Sequence, residues 1–166
     1  MLFMGQDTTT VGTNKPIYRP NVAAIIQRSD NKILVGERSD RPGSWQFPQG
    51  GIKPRETPEQ ALERELLEEV SLPSGSYRII ERKGPYRYLF DGGRTKEGFH
   101  GQEQIYFLIE LLPGFEPKYQ TSDPEFRALN WIVPSEFNIE WLPSFKREVY
   151  RRVLSLFFGV LIKNVE

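Results

Sequence analysis

Gly50-Gly51-Ile52-Lys53-Pro54-Arg55-Glu56-Thr57-Pro58-Glu59-Gln60-Ala61-Leu62-Glu63-Arg64-Glu65-Leu66-Leu67-Glu68-Glu69-Val70 is the stretch on which the reading of this chain turns. It begins as a glycine turn and continues as a helix. Thr57 has the side chain of an N-cap, Pro58 suits the first helical position, and Gln60 completes a capping box. Pro73 stops the helix after about Val70. At about 100° per residue, Leu62, Leu66 and Val70 form an apolar stripe about 80° wide. Glu65, Glu68 and Glu69 fall in a sector about 100° wide, and Glu69 lies only about 20° from Leu62. The acidic sector therefore borders the buried face. Carboxylates at i, i+3 and i+4 repel one another, and a charge at the margin of a core is costly without compensation. Arg64 reaches only one or two of them. A glutamate-rich helix can be an ordinary solvated face, but hard divalent cations also gather such a cluster. The sharp Pro48-Gln49-Gly50-Gly51 turn and an outlying Glu56, placed to pair with Arg64, favour the second reading.

The rest of the composition narrows the chemistry. The chain of 166 residues suits a single domain, and its 38% apolar and 27% charged residues are an ordinary globular balance. Lys+Arg and Asp+Glu are equal at 22 each, so net charge does not point to a partner. Cysteine is absent, which excludes disulfides, thiolate metal sites and a cysteine nucleophile. The single histidine, His100, excludes a His–His metal pair, and nothing near it suggests a triad. Oxygen ligands are left, pointing to Mg²⁺, Mn²⁺ or Ca²⁺. No secretory leader pattern is seen, and the longest apolar run, Leu156 to Ile162, is too short to span a bilayer. A cytoplasmic protein is expected.

Along the chain, residues 1–15 read as a flexible N-terminal arm and 16–166 as one domain. Val22–Ile26 and Lys32–Gly36 are expected strands around a Ser29-Asp30-Asn31 turn, forming a hairpin. Further strands are expected at Trp45–Phe47, Tyr77–Arg82, Tyr86–Phe90, Ile105–Leu111 and Leu129–Val133. A second helix is expected over Pro143–Phe157, with Phe145, Val149, Val153, Leu156 and Phe157 on one face. Strands interleaved with two helices give an α/β fold with a mixed sheet covered by helices.

The acidic segment resembles the Nudix box, G-x5-E-x7-R-E-U-x-E-E-x-G-U with U aliphatic. Gly50, Glu56, Arg64, Glu65, Leu66, Glu68, Glu69 and Leu72 match at the required spacing, and Ser71 stands where the pattern has glycine. Serine can occupy a helix end at modest cost. The resemblance continues in Arg19-Pro20-Asn21-Val22, Ser44-Trp45-Gln46-Phe47-Pro48-Gln49, Gly101-Gln102, Thr121-Ser122, Pro124-Glu125-Phe126 and Ser144–Val153. Together these are similar to the Nudix branch of bacterial RNA 5′-pyrophosphohydrolases and dinucleoside polyphosphate hydrolases.

The resemblance implies a Nudix α/β/α sandwich and a Mg²⁺-dependent hydrolase, with Mn²⁺ as a substitute. By similarity, Glu65, Glu68 and Glu69 are metal ligands, joined by the Gly50 carbonyl and by Glu125, and Arg64 orients the carboxylates with Glu56 as its partner. Arg19, Arg38, Ser44 and Lys146 face phosphates, and Phe145 stacks on a base. One of the helix carboxylates or Glu125 takes the proton of the attacking water. The expected substrate is the 5′-triphosphate end of RNA, with diadenosine tetraphosphate as the alternative. Neither a DNA duplex nor a membrane is an expected partner. Arg147, Arg151 and Arg152 suit a single-stranded RNA as well as they suit an amphipathic helix. A non-catalytic nucleotide- or RNA-binding module is the reading from another class, and it would be expected to lack one of the helix glutamates.

Overall fold

The structure is a computed structural model that describes residues 15–162. Apart from Lys15, the expected N-terminal arm lies outside the described residues. In chain order the elements are β1 (Tyr18–Gln27), β2 (Ile33–Arg38), β3 (Trp45–Gln46), β4 (Gln49–Gly51), α1 (Pro58–Val70), β5 (Tyr77–Leu89), β6 (Gly101–Leu111), β7 (Phe126–Ile132) and α2 (Ser144–Phe158). The sheet runs β3-β2-β1-β6-β5, with β4 added to β1 and β7 to β2. β1 and β6 are parallel from Tyr18↔Gly101 to Gln27↔Glu110, and the other pairings are antiparallel. The sheet is therefore mixed, as expected.

The unbroken apolar run of β1 follows from this position. Val22, Ala24 and Ile26 join Leu62, Leu66 and Val70 of α1 in one core. Ala23 and Ile25 face the other way, toward Val149, Tyr150 and Val153 of α2. A strand covered on both faces needs apolar residues at every position. Truncating fully buried Leu66 to Ala would cost about 2–5 kcal/mol and would loosen the helix that carries the glutamates.

α1 starts as read. The Thr57 hydroxyl oxygen accepts the Gln60 N–H at 3.1 Å, and the Thr57 N–H donates to Gln60 Oε1 at 2.9 Å. It ends on Ser71 at φ 57°, ψ 32°, in the left-handed region. The Leu72 N–H reaches back to the Leu66 carbonyl at 3.0 Å, closing the last turn. Serine thus holds a backbone conformation that glycine adopts without strain. Ser71→Gly is expected to raise stability by about 0.5–1 kcal/mol, seen as a melting temperature higher by about 1–4 °C. A variant that melts lower would show that this turn does not strain Ser71.

Several expectations need correction. The two strands expected at Tyr77–Arg82 and Tyr86–Phe90 are one, β5, which ends at Leu89 and whose pairing with β6 continues across two register shifts. Gln49–Gly51, read as a turn, forms the short strand β4 against β1. The β1–β2 hairpin pairs only at Gln27↔Ile33, because β4 occupies the other end of that edge and β2 pairs mainly with β7. Leu156, placed on the packed face of α2, is 49% exposed.

Candidate active site

Gly50 leaves room for the Glu65 carboxylate. A Cβ on Gly50 would fall 2.0 Å from Glu65 Cδ, so only glycine lets that carboxylate lie against the β4 backbone. One turn further on, Glu69 is 7% exposed, and its Oε2 is buried without a hydrogen-bond partner. The helical wheel had placed Glu69 beside the core, and the structure puts it there. Its pKa is raised, first by burial, then by the charge of Glu65, a side-chain hydrogen bond with Glu65, and the charge of Glu125. The Gln49 backbone amide pulls the other way. An uncompensated buried carboxylate is unfavourable.

Arg64 organises the other side of the helix start. Its Nε and Nη2 donate to Glu56 at 2.7 and 2.8 Å, and Nη2 also donates to the Gly51 carbonyl at 2.8 Å. Nη1 reaches Glu65 at 2.7 Å and Glu68 at 3.4 Å. The Arg64 hydrogen bond holds the Glu56 pKa down at about 2, and Lys53 N–H donates to the same carboxylate. Glu56 therefore acts through Arg64, and Arg64 ties the turn to the helix. The side chain of Glu68 is 56% exposed and does not line the cleft.

The cleft itself measures about 430 Å³. Glu65, Glu69, Gly50 and Glu125 line one part of it, and Arg19, Arg38, Lys146 and Phe145 also face it. Gly51 lets Arg19 in, since a Cβ there would sit 2.5 Å from its guanidinium. Arg38 holds Asp40 through two hydrogen bonds of 2.8 and 2.6 Å. Lys146 is only 5% exposed, and its Nζ has Gln46 Oε1 at 3.4 Å. Burial, and then the charges of Arg38, Arg41 and Lys96, lower its pKa from 10.5 to about 8. Phe145 packs edge-on to Phe90 and tilted against Tyr88, so it is both a wall of the cleft and part of an aromatic cluster.

Ser44 is not brought into the cleft. It is buried, and its hydroxyl donates to the Trp141 carbonyl at 2.8 Å, which locks the loop before β3 rather than facing a ligand. Conversely, Arg41, Arg94 and Lys96 line the cleft without having been singled out in the sequence. They come from loops far apart in the chain, and no local pattern marks them. His100 is engaged structurally, its Nδ1 accepting the Ile17 N–H at 3.0 Å.

Among the described residues no three acidic or histidine side chains already stand as a cation-holding cluster. Glu65 and Glu68 are both drawn toward Arg64. The donor set nonetheless fits a hard divalent cation. The partnerless Glu69 Oε2 and the adjacent Glu65 carboxylate bring oxygens together where negative charge is disfavoured, and such an ion would let both carry it.

The profile of the NUDIX domain family matches residues 17–153, and the chain belongs to that family. An RNA pyrophosphohydrolase of Helicobacter pylori (strain G27) is 42% identical over 149 residues, covering 84% of this chain and 93% of the relative. An RNA pyrophosphohydrolase of Escherichia coli O139:H28 is 41% identical over 159 residues, covering 90% of this chain and 88% of the relative. Among solved structures, the E. coli dihydroneopterin triphosphate pyrophosphohydrolase shares the fold, with a TM-score of 0.62 at 22% identity over 85% of this chain and 97% of the other.

Proposed function

We propose that this chain removes pyrophosphate from the 5′-triphosphate end of RNA and leaves a 5′-monophosphate. The observation that carries the reading is the cleft's make-up: the buried Glu69, with the more exposed Glu65 and Glu125, lies in a cavity that also holds cations and the Phe145–Tyr88–Phe90 wall. A nucleotide with a phosphate chain needs those same kinds of group: metal-holding carboxylates, cations and an aromatic surface. Relatives at about this length and more than 40% identity named for the reaction point the same way.

Mg²⁺ held by Glu65, Glu69, Glu125 and the Gly50 carbonyl would neutralise phosphate charge and acidify a bound water, and Glu68 would join only by swinging in from outside the cleft. Arg19, Arg38 and Lys146 hold phosphate oxygens. Phe145 receives a base on its open face. One of Glu65, Glu69 and Glu125 takes the proton of the attacking water. Oxygen bonds to phosphorus, the anhydride bond between the first and second phosphates breaks, and pyrophosphate leaves. Arg64 keeps Glu65 aimed, and Glu56 keeps Arg64 in place. The enzyme works in the cytoplasm, where its RNA substrate is.

The deciding experiment gives the purified protein, with Mg²⁺, equal concentrations of 5′-triphosphorylated RNA, diadenosine tetraphosphate and nucleoside triphosphates. The highest kcat/KM is expected for the RNA. A clear preference for either other substrate would overturn the assignment.

Lys146 adds a pH prediction. Its cationic form binds phosphate and predominates below its pKa of about 8. As pH rises through that value the free enzyme loses the charge, so kcat/KM for triphosphorylated RNA should fall. Lys146→Met should lower kcat/KM below pH 8 and flatten this limb. An unchanged alkaline limb in the variant would show that another group titrates.

A further inference from the structure

Beneath the cleft floor lies a buried amide with more acceptors than it has hydrogens. Gln104 of β6 is fully buried. Its Oε1 accepts the Tyr106 hydroxyl at 2.8 Å. Its Nε2 faces three oxygens: Gln49 Oε1 at 2.7 Å, Asn21 Oδ1 at 2.9 Å and Gln102 Oε1 at 3.4 Å. A primary amide has two N–H donors. The two short contacts take them, and Gln102 Oε1 is held instead by the Tyr88 hydroxyl. Backbone pairing fixes the arrangement, since Asn21 is directly opposite Gln104 across β1–β6 and Gln102 is two residues away on the same side of β6.

Asn21, Gln49 and Gln102 all line the cleft. With their amide oxygens committed to Gln104 and Tyr88, what each has left to offer is its NH₂ group. We propose that Gln104 is a positioning residue that orients the Asn21, Gln49 and Gln102 amides so that the cleft floor presents N–H donors to the non-bridging oxygens of a polyphosphate. Those oxygens are acceptors, and a floor of carbonyl oxygens would repel them. The direction of the Gln104 amide thus sets the polarity of a neutral binding surface lying among the carboxylates, the cations and the aromatic wall. The inference rests on the reading of the cleft as a polyphosphate site.

Two substitutions separate this role from simple packing. In Gln104→Met the shape is approximately kept and the amide is lost, so the three amides are no longer oriented. In Gln104→Glu the buried group has at most one hydrogen where the amide has two, and none when ionised, so at least one of the short donations is lost and the neighbouring amides are driven to turn an NH₂ group inward and an oxygen outward. For Gln104→Met, KM for 5′-triphosphorylated RNA and the Kd of inorganic tripolyphosphate by calorimetry should each rise about tenfold. For Gln104→Glu both should rise about a hundredfold, and kcat should stay within about threefold in either variant. Equal effects of the two substitutions, or a loss of kcat with KM and Kd unchanged, would overturn the proposal. If Gln104→Glu does not fold, Gln104→Met decides alone, and affinities within about twofold of wild type would overturn it. If the wild type ignores triphosphorylated RNA, the substrate assignment fails, while the tripolyphosphate affinities still test Gln104.

Discussion

Glu69→Gln should leave a folded protein whose turnover is lower by about 10²–10⁴-fold. The fold should survive because the amide has the size of the carboxyl it replaces and, like the neutral carboxyl that burial and the neighbouring Glu65 and Glu125 favour, carries no charge. The partnerless Oε2 of Glu69 is a costly group in the isolated chain, and a bound cation is what would make it favourable. The metal-free melting temperature should therefore stay equal or rise. The wild type should be stabilised further by Mg²⁺ through preferential binding to the native state, and the variant should lose that increment. Steady-state kinetics with thermal melts, with and without Mg²⁺, check both halves. A folded variant with near-normal kcat would remove Glu69 from the chemistry.

Gly50→Ala should also lower kcat/KM by about a hundredfold, through displacement of one carboxylate. The new Cβ would lie 2.0 Å from Glu65 Cδ and 2.1 and 2.3 Å from its two oxygens. Something must move, and the end of a glutamate side chain moves more easily than the β1–β4 ladder at Val22↔Gly50. Glu65 would be driven from the cleft despite Arg64, which holds it at 2.7 Å. Stability should change little, because the clash is relieved at a side-chain tip. Kinetics beside a thermal melt separate the two effects. Wild-type rates in the variant would mean that Glu65 is not needed where the structure places it.

The parts of this molecule that the sequence announces are those with short-range causes. The capping box of α1 uses Thr57 and Gln60, three residues apart, and both its hydrogen bonds are present. Glu69 at the margin of the core follows from helical periodicity alone. The Glu56–Arg64 pair was legible because both residues fall in one short segment. Strands fared less well where neighbours decide. Gln49–Gly51 looks like a turn, yet β1 offers an edge on which it pairs. The register shifts of β5 interrupt its alternation without ending its pairing with β6. In the site, Arg41, Arg94 and Lys96 meet only because the sheet brings their loops to one mouth. Ser44 was misplaced because its hydroxyl finds the Trp141 carbonyl, 97 residues away in sequence.

β5 ends the sheet, paired on one side by β6. A strand of 13 residues whose outer margin no strand among the described residues pairs would ordinarily invite other molecules to add themselves, strand upon strand. Here the ladder slips between Ile79 and Glu81 and again between Lys83 and Tyr86. Arg78, Glu81, Arg82 and Lys83 put charge along the same stretch. No incoming strand can stay in step with it for long, and its charged side chains keep water along it. The slipped register and the charges thus oppose strand addition along a long, partly apolar border on which Ile79 and Ile80 are exposed.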